Sequence, residues 1–456
     1  MPIAQGPPPS DDRLAAAAPA AIGKQFPTGF LWGAATAGHQ VEGNNLKSDL
    51  WLLEHLTPTV FAEPSGDACN SLELWRQDLD LLENLGLNSY RFSLEWARIE
   101  PEEGMFSLAM LDHYKAIIEA CVARSLTPLV TFNHCTTPRW FAERGGWTSS
   151  DSPDLFARFC ERAARHLATH IGYAATLNEP NGLIFAGMNM PAAVASQSRE
   201  MLAAAARHAG VSIYRAGNTP IPEDIPTMTK NLLVGHRMGR LAIKAVRPDL
   251  PVGVCLAIGD DEAVGSGSKR DAMRAELYGA WLDAARGDDF VGVQNYERTL
   301  WGPQEKLPPP TGATLGSMGG EIYPPSLAGA VRYAHEQTGI PIIVTENGVN
   351  TTNDAIRAAY IPAVLHELQQ AISDGVPVKG YFHWSLLDNF EWVFGYTPRY
   401  GLYSVDRTTF VRTPKPSAGV LGAIARQNRV LPQHAGFHVP STLEPDPTAP
   451  KATAQP

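Results

Sequence analysis

One feature constrains the fold more than any other: eight short β-rich runs alternate along the chain with longer stretches of helical periodicity. The runs are FLWGAATAG (30–38), NSYRFSL (88–94), PLVTFNH (128–134), YAATLNE (173–179), VGVCLAI (252–258), FVGVQNY (290–296), PIIVTEN (341–347) and VKGYFHWSL (378–386). Between them lie segments such as LELWRQDLDLLENLG, with apolar residues at Leu74, Leu79, Leu81, Leu82 and Leu85 and Gly86 placed to cap a helix. Strands alternating with helices predict a parallel sheet. Eight units with apolar residues on both strand faces predict closure into an α/β, (β/α)8 TIM barrel forming a single domain with long βα loops. An open doubly wound sheet would carry a Gly-rich phosphate loop after its first strand, and no GxGxxG occurs.

The barrel is expected over residues 26–432. Residues 1–25, rich in Ala and Pro, and 433–456, rich in Pro and Thr, are expected to be disordered extensions, lacking the apolar surface to offset their ordering entropy. Segments 187–225 and 300–325 are too long for simple connections and are expected to shape access to a site. The 37 basic residues against 47 acidic ones leave no surplus to displace phosphate counterions, so no nucleic-acid partner is expected. No apolar stretch reaches 18 residues, so no membrane partner is expected either. Five scattered cysteines without a CxxC pair, and an N-terminus that makes a poor signal peptide, predict reduced thiols and a cytoplasmic location.

In such a barrel catalytic residues sit at the C-terminal strand ends. Polar and aromatic side chains gather there: His39, Gln40 and Glu42; Arg91, Glu95 and Trp96; Asn133 and His134; Asn178 and Glu179; Gln294, Asn295 and Tyr296; Glu346 and Asn347; Trp384, Asp388, Asn389, Glu391 and Trp392. A lone strand-end Asn or His usually anchors a loop, but seven such ends on one rim point to a site. Two carboxylates amid amides and aromatic faces suit glycoside hydrolysis, one giving a proton to the leaving oxygen while the other attacks the anomeric carbon or activates water. Metal-assisted chemistry would ask for Asp and His clustered at ligand spacing, and the acidic residues here are isolated. No metal or cofactor is therefore expected.

Five motifs in order carry a resemblance spanning roughly Phe26 to Val430: FLWGAATAGHQVEG (30–43), YRFSLEWARIEPEEG (90–104), TLNEP (176–180), VTENG (344–348) and GYFHWSLLDNFEW (380–392). The chain resembles glycoside hydrolase family 1, the β-glucosidases, β-galactosidases and their 6-phospho relatives. That resemblance implies a retaining exo-acting β-glycosidase, a β-glucosidase with β-galactosidase or β-fucosidase activity, acting on a small β-glycoside or oligosaccharide. It implies Glu179 as acid/base and Glu346 as nucleophile, supported by Arg91 and Asn178, with Tyr296 donating to the nucleophile. Gln40, His134, Asn178, Glu391 and Trp392 would bind the non-reducing sugar, with Trp384 as its stacking floor. A 6-phospho-β-glycosidase and a catalytically silent sugar-binding member are the alternatives. A barrel aldolase or isomerase would need a Schiff-base Lys, and Lys379 stands at the wrong end of its strand.

The chain also departs from the family pattern. Cys135 and Thr136 follow His134 where Trp and Asp are common, which is expected to open the wall beside the sugar. The order Gln294-Asn295-Tyr296 leaves the amide before the tyrosine in question. Gly320 replaces a frequent Trp, expected to widen the entrance; Tyr400 replaces a frequent Phe, and Ala174 a frequent Trp.

Overall fold

The computed structural model describes residues 24–188, 190–431 and 437. Eight parallel strands close into a barrel: β1 (Leu31–Ala35), β2 (Ser89–Ser93), β3 (Thr127–Asn133), β4 (Tyr173–Asn178), β5 (Val252–Ala257), β6 (Val291–Asn295), β7 (Ile342–Asn347) and β8 (Val378–Trp384). Each pairs with its neighbours in sequence, and β8 closes on β1 with Leu31 opposite Gly380. Seven of the eight expected runs contain their strand, and the run 128–134 overlaps β3, which begins one residue earlier at Thr127.

A helix follows each strand on the outside: α1 (Ser71–Leu85), α2 (Leu108–Ala123), α3 (Ser152–Leu167), α4 (Ile225–Val246), α5 (Arg270–Arg274, continuing through a π turn to Ala280–Ala285), α6 (Ser326–Thr338), α7 (Asp354–Ser373) and α8 (Pro416–Gln427). Helix α1 shows why such a segment docks. Trp75, Leu79, Leu82 and Leu85 face inward at helical spacing, and Gly86 ends it at φ 73°, its N–H bonded to Leu82 and Glu83 carbonyls. On α4 the inward positions include Gly235 and Gly239, where a Cβ would stand 2.9 Å from Trp147 and 2.9 Å from Phe156, so their bareness lets α3 approach.

The long segment 187–225 is more ordered than its Gly, Pro and Ala content suggests, because it holds the helix Ala192–Ala209. Met201, Leu202 and Ala205 of that helix pack with Leu50, Leu53, Phe61 and Phe390 into a second apolar cluster above the barrel. The cluster braces the loops after β1 and β8. Segment 300–325 contributes to a small sheet in which Arg298–Trp301 pairs with Asp260–Ala263 and Lys306–Leu307.

At the opposite end Phe26, Phe30 and Trp32 pack on the outside of β1 with ring centroids 4.8 Å apart, Trp32 Nε1 donating to Asn428 Oδ1 at the end of α8, while Leu31, Phe290 and Phe382 fill the barrel interior. Apart from Lys24 and Gln25, which contact α7 and Arg429, the first expected extension lies outside the described residues. So does the second except for Phe437, whose ring stands edge-on to Tyr360 at 6.5 Å. Phe437 is half-buried, so Phe437→Ala should cost about 1 kcal/mol of apolar burial. Truncation after Pro432 is expected to lower the melting temperature by only a few degrees and to leave turnover intact, as a thermal melt and an activity assay would read. Among the described residues no helix is long and apolar enough to cross a membrane.

Candidate active site

The C-terminal strand ends converge on one buried arginine. Arg91, in the middle of β2 and fully enclosed, donates from Nη1 to Glu346 Oε1 at 2.5 Å and from Nη2 to Asn178 Oδ1 at 2.6 Å, while Nε reaches Thr131 Oγ1 at 3.2 Å. Four strands are thereby tied together through one guanidinium, whose planar fork suits several fixed acceptors. Gln294 at the end of β6 adds Nε2 bonds to Asn178 Oδ1 (2.7 Å) and Glu346 Oε1 (2.9 Å), so the amide before the tyrosine is present and engaged despite the changed order. Tyr296 donates its hydroxyl to Glu346 Oε2 at 2.6 Å. Glycine at 348 is required: a Cβ there would collide with the Trp384 carbonyl of β8.

Glu346 thus accepts three hydrogen bonds, each favouring the ionised form. Burial pushes its carboxyl upward, and Arg91, Tyr296 and Gln294 pull it back without cancelling the push, so the group stays above its ordinary value. Glu179 follows β4 with φ 43°, a left-handed conformation that non-glycine residues seldom adopt. Its N–H is fixed on Cys255 O at 2.8 Å. Burial, and then the charge of Glu346, push its carboxyl up to about 8, with only Arg91 pulling down. Two neighbouring carboxyls therefore differ in environment: one is held among donors, the other is kept protonated into the neutral range.

Beside this pair lies a wall of aromatic and amide groups. Asn178 Oδ1 is fixed by Arg91 and Gln294, so its Nδ2 donates to His134 Nε2 at 3.0 Å. Burial and Arg91's charge hold His134 well below its usual value, so the ring is neutral. Its proton then sits on Nδ1, a buried atom with no partner in the protein. The His134 ring lies nearly parallel to Trp384 (5.8 Å, 18°) and Trp392 (6.1 Å, 21°). Gln40 Nε2 donates to Phe390 O (2.7 Å) and Asn389 Oδ1 (3.0 Å) and lies 3.4 Å from Glu391 Oε2, leaving Gln40 Oε1 unpartnered. Trp384 Nε1 reaches Glu391 Oε1 at 3.3 Å. Not every rim residue expected from the sequence comes here: Glu42 is tied to Arg98 and Tyr114, Trp96 packs on Phe141 and Phe159 among the helices, and Asp388 pairs with Lys415.

The support behind the wall combines the expected His39 and Glu95 with residues that were not expected. His39, whose ring is parallel to Trp392 at 6.1 Å and 4°, is held by Glu54 at 2.7 Å. Its backbone N–H bonds Glu95, which also accepts from Asn45 and Thr136. Glu54 and Asn45 carry no sequence signal, because they lie in the β1 loop outside any strand end. Among the described residues, no group of three or more His, Cys, Asp or Glu is placed to hold a metal ion.

A cavity of about 540 Å³ opens over Glu179, Gln294 and Tyr296 and runs out past Glu297, Met318, Gly320 and Asn350. Cys135, at φ 69°, has a thiol pushed well up by burial and then by the charges of Glu179 and Glu346. Tyr400 stands edge-on to Tyr296 at 5.7 Å.

The family model for glycosyl hydrolase family 1 matches residues 22–210 and 306–430. The chain is 29% identical to Beta-glucosidase A of Thermotoga maritima, over 89% of this chain and 98% of that protein. Among solved structures it is similar to the beta-glycosidase BGL167, with 47% identity, a TM-score of 0.84, and coverage of 89% of this chain and 98% of that one. It is also similar to the beta-glucosidase from Thermotoga maritima in complex with deoxynojirimycin, at 27% identity and TM-score 0.77, over 89% and 99% of the two chains.

Proposed function

Because the chain belongs to glycosyl hydrolase family 1 and is a β-glycosidase, we propose that it acts by double displacement with retention, releasing terminal non-reducing β-linked sugars. The observation that carries this reading is the unequal treatment of the two carboxyls, three donors on Glu346 and a carboxyl raised to about 8 on Glu179. Glu346 attacks the anomeric carbon while Glu179 gives its proton to the departing oxygen, and the glycosidic bond breaks. The ester formed on Glu346 is neutral, so the part of the upward push on Glu179 that came from its charge is gone, although burial remains. Glu179 then takes a proton from water, the resulting hydroxide attacks the same carbon, and the ester bond breaks. Two inversions give retention; in retaining enzymes generally the two carboxyls stand about 5–5.5 Å apart.

The direct test is the anomer first released, followed by NMR before mutarotation: β is expected, and α would overturn the mechanism. A pH profile gives a second. Glu179 must begin protonated and Glu346 ionised, so kcat/KM should fall as pH rises through about 8 and fall again on the acid side as Glu346 takes up a proton.

The sugar half of the site favours a gluco- or galacto-configured ring with a free 6-hydroxyl. The Glu391 carboxyl accepts from Trp384 and Gln40, both neutral donors, and burial raises it well above the usual range. Lys415, one cation near this loop, is committed to Asp388 at 2.7 Å and to Gly401 O at 2.9 Å. A 6-phosphate would be buried beside that carboxyl, among neutral donors. The 6-phosphoglucoside should therefore be a poorer substrate than the plain glucoside by about a hundredfold or more in kcat/KM, and equal rates would favour the phospho-glycosidase reading. Five free thiols fit a reducing, cytoplasmic compartment.

A further inference from the structure

The outer half of the cavity is built differently from the inner half. Ile258, Gly259, Glu297 and Thr299 line it from a stretch, 211–305, that the family model leaves unmatched. A side chamber of about 280 Å³ continues from it, sharing Glu297, Met318, Gly320 and Glu321. Apart from Glu179, the carboxylates here are balanced by cations: Glu321 by Arg298 at 2.7 Å and Glu297 by Lys306 at 3.6 Å. The outer half is therefore close to neutral and offers no charge for a charged leaving group.

It does offer hydrogen bonds. Glu297 and Lys306 are each about half exposed (44% and 46%), so their ion pair is weak and both can turn to a ligand, one accepting and one donating. Gly320 lays bare backbone against the carboxylate: a Cβ there would stand 2.7 Å from Glu297 Oε2. Glu297 thus lies where a side chain at 320 would otherwise project. Asn350 is buried at 7% exposure in the wall; its Oδ1 accepts from Arg399 N at 2.9 Å, which fixes the amide, and its Nδ2 has no partner in the protein. A buried donor without an acceptor is unfavourable until a ligand supplies one. Ile258 and Met318 offer apolar surface for C–H groups.

We propose that Glu297, Lys306 and Asn350 select the leaving group, favouring an uncharged, hydroxyl-rich one, a second sugar ring, over a flat aryl group. This rests on the β-glycosidase reading. A carboxylate oxygen accepts from one hydroxyl, the ammonium donates to its neighbour, and the Asn350 amide donates from the far wall.

The test is the ratio of kcat/KM for a β-linked diglucoside to that for 4-nitrophenyl β-glucoside, in the wild type and in Glu297→Ala, Glu297→Gln and Asn350→Ala. Losing a hydrogen bond to a charged group should lower the ratio by about tenfold in Glu297→Ala. Glu297→Gln should fall less, because an amide oxygen still accepts. Asn350→Ala is expected to fall similarly, and Glu297, being half exposed, keeps the test alive if that variant unfolds. Ratios within twofold of wild type in both Glu297 variants would overturn the proposal. Wild-type turnover of the aryl glucoside without the diglucoside would overturn it and leave the retaining mechanism standing. Turnover of neither would overturn both.

Discussion

Glu346→Gln is expected to lower kcat by at least about 10⁴-fold, as removal of a nucleophile does in other double-displacement enzymes. The amide keeps the shape but cannot form the glycosyl ester, and Arg91 then faces a neutral group. Sugar binding should remain measurable by calorimetry, because Gln40, His134, Glu391 and Trp392 are untouched. The same variant removes the charge that raises Glu179, so the Glu179 pKa should fall from its value of about 8. Residual activity within tenfold of wild type would exclude Glu346 as nucleophile.

The second large effect concerns Glu179. Glu179→Gln should cost roughly 10²- to 10⁴-fold on substrates with poor leaving groups. Dinitrophenyl glycosides need little help from an acid, so their first step should survive and the ester on Glu346 should accumulate, giving a burst followed by a stall. Azide attacks without a base, and its addition should restore turnover with a β-glycosyl azide as product. An α-azide, or no rescue, would break the assigned roles.

The barrel was legible because each strand is a short apolar run bounded by turn residues, and the rim because its polar groups recur at strand ends. Legibility failed where composition misled. The stretch AAVASQSREMLAAAARHA sits in a Gly- and Pro-rich segment, yet its alanines favour helix, and the helix is secured by Phe61 and Phe390 from loops distant in sequence. The fate of Gln294 could not be read from the order of three residues, since its partners Asn178 and Glu346 come from other strands. Asn45, Glu297 and Asn350 lie in loops, and Glu54 ends the six-residue helix Asp49–Glu54, too short for periodicity to announce a direction.

The guanidinium of Arg91 also has a consequence for assembly. Its partners belong to β3, β4 and β7, and the aromatic wall draws on β1, β3 and β8, so no contiguous half of the polypeptide contains the sugar pocket. Pocket and cylinder are completed by the same event, the meeting of first and last strands. An intermediate short of that meeting has nothing to offer a sugar, and a bound inhibitor therefore opposes global opening while leaving partial structures indifferent. At a hundred times its dissociation constant it would add about 2.7 kcal/mol to the equilibrium stability. Ligand occupancy thus reports whether the ring of strands has shut.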